Sequence, residues 1–144
     1  MKKLFAGCVL LRTLTILAVA APLSCDLGQG LVYHRVHQLP ADLPAADAVR
    51  RQPCVLDLRY VSGDAETGAA LAAWLKFNAT ARAPVLVLAN PETSTALLNA
   101  IAPHGTGASV IVLGAAGAAF TPDIALKIAP DAERQAYDAL EHGA

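Results

Sequence analysis

Three hydroxyls stand in a row at Thr93, Ser94 and Thr95, directly after the polar turn Asn90-Pro91-Glu92. Such a hydroxyl becomes a useful nucleophile only beside a group that takes its proton, for example a neutral lysine or a histidine. Lys76 falls on a helical stretch, and Lys127 falls in a later strand. The structural alternative for Ser94 and Thr95 is a turn that caps a helix. Asp57 and Arg59, two apart on a strand, share one face and either pair with each other or meet a ligand. His34 and His37 are three apart on a strand, which sends them to opposite faces and argues against a metal pair. Residues 114–117 are rich in glycine and alanine but lack the lysine and spacing of a phosphate loop. No metal and no cofactor are expected.

The elements that must position these groups follow from periodicity. Residues 30–37 read as a strand, with a turn proline close behind at Pro40, and Pro44 suits the first turn of a short helix over 45–51 that Pro53 ends. Val55-Leu56-Asp57-Leu58-Arg59 is the next strand, followed by the turn Ser62-Gly63-Asp64 and a helix over 64–77 with Leu71, Trp74 and Leu75 at helical spacing. The runs Val85-Leu86-Val87-Leu88 and Ser109-Val110-Ile111-Val112-Leu113 are continuously apolar, the pattern of strands buried on both faces. A helix over 94–102 separates them. A short strand over 124–128 and a terminal helix from 131 to about 141 complete the chain. Strands alternating with helices predict an α/β fold: one small domain with a mainly parallel sheet and right-handed crossover helices. The strand at Val55 should lie between or beside those at Val85 and Val110.

The chain has 144 residues, which suits one domain, and only 5% of them are aromatic, so the core should be aliphatic. A net charge of −1 with no basic run argues against nucleic acid as a partner. Lys2 and Lys3 precede an apolar stretch interrupted by Arg12, and Ala18-Val19-Ala20 supplies small residues where a signal peptidase reads. Residues 1–20 are therefore expected to be a signal peptide, residues 21–29 an N-terminal arm and residues 30–144 the domain. The expected location is periplasmic or secreted. Two alternatives stay open: an uncleaved membrane anchor, and lipidation at Cys25 after Pro22-Leu23-Ser24. Removal of residues 1–20 takes Lys2, Lys3 and Arg12 from 11 basic residues against 12 acidic ones, leaving 8 and a net charge of −4. Cys25 and Cys54 then remain, as a disulfide in an oxidising compartment or as a loose thiol and a buried one.

Val55-Leu56-Asp57-Leu58-Arg59, with Gly63 shortly after, resembles the "LDLR-x-N-x-G-G" segment of the C-terminal processing serine peptidases, which have a crotonase-like core. The resemblance runs in order through Pro84 to Asn90, Thr93-Ser94-Thr95-Ala96, Val110 to Gly114 and Thr121-Pro122-Asp123-Ile124. It implies a crotonase-like fold and a Ser/Lys site. Matching the family's motifs puts Thr95 at the nucleophile, or Ser94 one residue earlier, and Phe120 at the lysine; Ala119-Phe120 stands for Gly-Lys. The paired glycines of the oxyanion hole become Gly63-Asp64, which brings a carboxylate where negative charge would develop. Phenylalanine cannot accept a proton. Rhodanese-like domains also carry a "V-x-D-x-R" strand, but their active cysteine follows the next strand, where Asn90-Pro91-Glu92-Thr93-Ser94 has none.

These observations point to an exported, noncatalytic binding or interaction module derived from that peptidase core. The alternatives are a divergent serine/threonine hydrolase and a lipid-anchored envelope component. The partner is unknown; protein or peptide is the class considered, and membrane contact is expected only through the N-terminal segment. Open α/β sheets bind ligands at the carboxyl ends of their strands, so Arg59, Gly63, Asn90 and Gly114 are the candidate ligand residues.

Overall fold

The apolar runs at Val55, Val85 and Val110 become three of the six strands formed by the described residues, and the stretches that separate these three become helices. The computed structural model describes residues 23–49, 52–105, 107–117 and 120–141. In chain order the elements are β1 (Ser24–Asp26), β2 (Val32–Arg35), α1 (Ala46–Val49), β3 (Cys54–Asp57), α2 (Ala65–Asn78), β4 (Val85–Ala89), α3 (Thr95–Ile101), β5 (Val110–Gly114), β6 (Ile124–Ala125) and α4 (Pro130–Glu141). A 3₁₀ turn, Ala102–His104, extends α3. Among the described residues no helix is long and apolar enough to cross a membrane. The proposed signal segment, residues 1–20, lies outside the described residues.

The strands form one sheet in the order β1-β2-β3-β4-β5-β6. β1 is antiparallel to β2, and every later neighbour is parallel. β3 lies beside β4 and β4 beside β5, as the alternating pattern requires. Each crossover steps the same way along the sheet, so right-handed connections put their helices on one face. Val49 of α1, Leu71 and Leu75 of α2, and Leu97, Leu98 and Ile101 of α3 accordingly join one core with Cys54, Leu56, Val85, Val87, Val110 and Val112.

Residues 24–26 are not a loose arm. Ser24, Cys25 and Asp26 pair with His34, Tyr33 and Val32. Gly28, Gln29 and Gly30 all take positive φ, and Asp26 Oδ1 accepts the Gly28 N–H at 2.7 Å, which closes the hairpin. The helix start at Asp64 is a capping box: its carboxylate accepts the Thr67 N–H at 2.9 Å, and Thr67 Oγ1 accepts the Asp64 N–H at 2.7 Å. The Thr67 N–H bond, and then that of the Thr67 hydroxyl to Oδ1 at 3.0 Å, hold the exposed Asp64 carboxyl below its usual range.

Two further expectations need correction. The runs in β4 and β5 are not buried on both faces. Val85, Val87, Val110 and Val112 are buried under the helices, whereas Leu86, Leu88, Ile111 and Leu113 alternate to the opposite face and are half-buried. On that face α4 places Tyr137 against Arg35, on the β2 side of the sheet. The last strand stops at Ala125 rather than reaching residue 128. Its partner β5 ends at Gly114, whose carbonyl takes the final bond from the Leu126 N–H at 2.8 Å.

Candidate functional site

The carboxyl end of β3 sets a charged pair inside the protein. Asp57 is fully buried, and its carboxylate accepts Tyr33 Oη at 2.6 Å, the Arg59 N–H at 3.0 Å, Arg59 Nε at 3.0 and 3.2 Å, and Arg59 Nη2 at 2.6 Å. The two-residue spacing thus yields a pair, although the strand expected to reach Arg59 stops at Asp57 and Arg59 sits in the turn that follows. Burial works against the Arg59 cation, but the hydrogen bonds and charge of Asp57 more than offset it, so its pKa rises above the usual guanidinium range. Burial, then the charge and hydrogen bond of Asp57, push the Tyr33 phenol well above its usual range.

Helix α4 closes over this pair. Its buried residues Glu133 and Tyr137 are one turn apart. Glu133 Oε1 lies 4.0 Å from Arg59 Nη1, and the Arg35 guanidinium stacks 3.5 Å above the Tyr137 ring, with that of Arg59 at 5.2 Å. Tyr60 meets Tyr137 edge to face with centroids 4.8 Å apart, and Arg134 lies 4.2 Å over the Tyr60 ring. Tyr60 holds φ at +63°, a left-handed conformation that disfavours side chains other than glycine and asparagine. Burial and then the negative charge of Glu133 raise its phenol pKa. Arg35, Tyr60, Glu133 and Tyr137 had no local signal in the sequence. The spacing 133, 137, 140 marks the inner face of α4, but nothing in it says which strand that face will meet.

A cavity of about 270 Å³ opens at the carboxyl ends of β3, β4 and β5. Tyr60, Asn90, Glu92 and Glu133 form its polar wall, and Pro91, Ile128 and Pro130 are among its apolar residues. Asn90 is thus the one predicted ligand residue that lines it. Arg59 does not line it and is committed to Asp57. Gly63 and Gly114 serve packing: a Cβ at Gly63 would lie 2.7 Å from Thr67 Oγ1, and one at Gly114 would run into the Ala89 carbonyl oxygen of the neighbouring strand. Asn90 is itself held in a turn, its Oδ1 accepting the Glu92 and Thr93 N–H groups at 3.1 and 3.0 Å.

The three hydroxyls take separate roles. Thr93 is buried, donates to the Leu58 carbonyl at 3.0 Å and accepts the Asn90 N–H at 3.1 Å, bolting the β4 turn to the end of β3. Ser94 occupies the helix cap but makes no side-chain capping bond, and its buried Oγ has no hydrogen-bond partner among the described residues; the capping role expected of it is therefore corrected. Thr95 is exposed on the first turn of α3. Among the described residues no hydrogen bond joins Ser94 or Thr95 to Lys127, His104 or any other base. Phe120, at the position matched to the lysine, is buried in the core against the end of β5.

The cysteines face apart. Cys25 shares a face with Tyr33 and Val55, its register partners, while Cys54 points to the helix-covered face two strands away, and both are free thiols. Burial pushes the Cys54 thiol up to about 11. His34 Nδ1 lies 3.1 Å from Ser24 Oγ, and burial lowers its pKa. Among the described residues no group of three or more histidine, cysteine, aspartate or glutamate side chains is placed to hold a metal ion.

No family model matches the chain, and no curated protein matches it either.

Proposed function

We propose that the mature chain is an exported, noncatalytic binding module, descended from a crotonase-like peptidase core, which holds its ligand at the carboxyl ends of the parallel strands. One observation carries this reading. Tyr60 is kept in a left-handed conformation at the wall of the cavity there, and backbone strain of this kind collects at ligand sites, where the surroundings over-determine it. Next to it in the chain, Arg59 is bound to Asp57 and so is not offered to a ligand. The position and build of the cavity suit a ligand more than a reaction: Tyr60 and Asn90 offer polar contacts, and Pro91 and Ile128 offer apolar area. The order of segments described above supports descent from the peptidase core, and residues 2–20 support export.

The experiment is an amide chemical-shift titration of the protein with a peptide library, run beside an assay with unfolded protein and a serine-directed phosphonate. Ligands should shift Tyr60, Asn90, Ala115 and Glu133 together, with no cleavage and no labelling. The unpartnered Ser94 Oγ favours a second reading, a divergent hydrolase. Cleavage or labelling that disappears in Ser94→Ala or Thr95→Ala would put that reading in place of ours. Intact-mass measurement of the protein from its own host separates a mature chain beginning at Ala21 from one lipidated at Cys25.

A further inference from the structure

We propose that the cavity at the carboxyl ends of β3, β4 and β5 receives an alkylammonium group, a compact cation on an apolar stem, with Glu133 as its counter-charge. This rests on the reading of that cavity as the ligand site and names the ligand's chemistry. Glu133 is more than nine-tenths buried and lines the cavity. Among the described residues no hydrogen bond ends on its carboxylate. Its nearest cation is Arg59, at 4.0 Å, beyond hydrogen-bond distance, and the Nε and Nη2 of that guanidinium are spent on Asp57. The carboxylate opens on the cavity, and a ligand that displaces water from it leaves a costly charge unless it replaces the donors that water gave. Whatever fills the cavity must therefore bring N–H or O–H groups to Glu133.

The surrounding charges favour a cation as that donor. Asp57 and Arg59 neutralise each other, and neither lines the cavity. Glu92, exposed on the cavity wall, adds a second negative charge. Arg134 is the cation over Tyr60, and it pairs outward with Asp138 at 3.7 Å. Arg35, the other buried cation, is stacked on Tyr137, and no ion pair between described residues joins it to Glu133. Ammonium suits the wall better than guanidinium. An ammonium group has three N–H donors to place and a guanidinium has five, whereas Asn90 Oδ1 is already occupied and Pro91, Ile128 and Pro130 offer hydrocarbon. Those same residues accommodate the methylene stem.

The test uses the full chain and four probes: Nα-acetyl-lysine methylamide as the peptide source of the group, 1,5-diaminopentane as the free-amine source, Nα,Nε-diacetyl-lysine methylamide as the neutral control, and the corresponding arginine compound. Calorimetry and the amide shifts of Tyr60, Asn90 and Glu133 read the binding. One or both amines should bind, the arginine compound more weakly, and the neutral control not at all. Binding of the lysine compound alone assigns a protein or peptide side chain, and binding of the diamine alone assigns a free polyamine. Glu133→Gln should weaken amine binding at least tenfold. Glu92→Gln, on an exposed residue, should weaken it about threefold and decides the matter if Glu133→Gln does not fold. Equal binding of amine and neutral control, or unchanged affinity in Glu133→Gln or, failing that variant, in Glu92→Gln, overturns the inference. If neutral or anionic compounds shift the cavity amides while amines do not, the ammonium assignment falls and the ligand site stands. If nothing of any charge shifts them, both fall.

Discussion

Tyr33 Oη donates to Asp57 Oδ2 at 2.6 Å across the β2–β3 pair, from the same side of the sheet on which Arg59 grips both carboxylate oxygens. The aspartate is thereby bound from a neighbouring strand and from its own. A buried ion pair of this kind adds little net stability when formed, but losing one partner leaves the other charge stranded. The pair therefore fixes where β3 ends, and it holds Arg59 away from the cavity.

Asp57→Ala should cost about 3–5 kcal/mol, because Arg59 would remain buried with Glu133 4.0 Å away as its nearest anion among the described residues. Asp57→Ala combined with Arg59→Met should recover a good part of that loss. Urea denaturation of the two variants and the parent measures both values. A loss below about 1 kcal/mol for Asp57→Ala would mean that water reaches the guanidinium.

At Tyr60, the backbone and the side chain pull in opposite directions. Glycine there would relieve the left-handed conformation, and alanine would keep the strain while losing the same ring contacts to Tyr137 and Arg134. Tyr60→Gly should therefore be more stable than Tyr60→Ala by about 1 kcal/mol, and both should weaken ligand binding alike. Thermal melts give the ordering. If alanine is the more stable of the two, the turn after β3 does not hold the conformation described.

Gly114 tests the closeness of β4 and β5. A Cβ there would press on the Ala89 carbonyl oxygen, which is backbone and cannot swing aside as a side chain can. Gly114→Ala should cost about 3 kcal/mol, at the upper end of overpacking penalties. Gly107→Ala has only ordinary contacts to make, the nearest at 3.5 Å, and should cost much less. Parallel denaturation curves decide between them.

Local pattern made most of the fold legible. The runs at Val55, Val85 and Val110, with their proline and glycine boundaries, became neighbouring parallel strands in sequence order, and the spacing of Asp57 and Arg59 made their pairing readable before any tertiary contact was known. The hairpin was less visible, because a three-residue strand of serine, cysteine and aspartate has no apolar period, although Gly28-Gln29-Gly30 carries a turn signal. The runs Val85-Leu86-Val87-Leu88 and Val110-Ile111-Val112-Leu113 also misled. An apolar run reports that both faces tolerate apolar residues, and it cannot report that one face is left half-covered. The site was least legible, since Glu133 and Tyr137 lie more than 70 residues from the Asp57 strand that they cover.

The final prediction concerns alkaline pH and the Cys54 thiol. Cys54 is 1% exposed on the helix-covered face, and burial raises its pKa from the ordinary value of 9.0 to about 11. The folded state thus prefers the protonated thiol more strongly than the unfolded chain does. For a group raised on folding, the stabilising contribution is complete below the unfolded pKa and is lost as pH climbs to the folded one. The window is therefore pH 9 to 11, and a shift of about two units corresponds to about 3 kcal/mol lost across it. The Tyr33 phenol, also raised, adds a loss of the same sign starting from about pH 10. Stability measured by urea denaturation from pH 7 to 11 should fall more steeply above pH 9 in the parent than in Cys54→Ala, with the two curves running parallel below. The same burial should leave Cys54 protonated and unmodified by iodoacetamide at pH 8 in the folded protein, while the half-buried Cys25 reacts. Parallel curves over the whole range, or alkylation of both cysteines at equal rates, would place Cys54 in contact with water and open the core beneath β3.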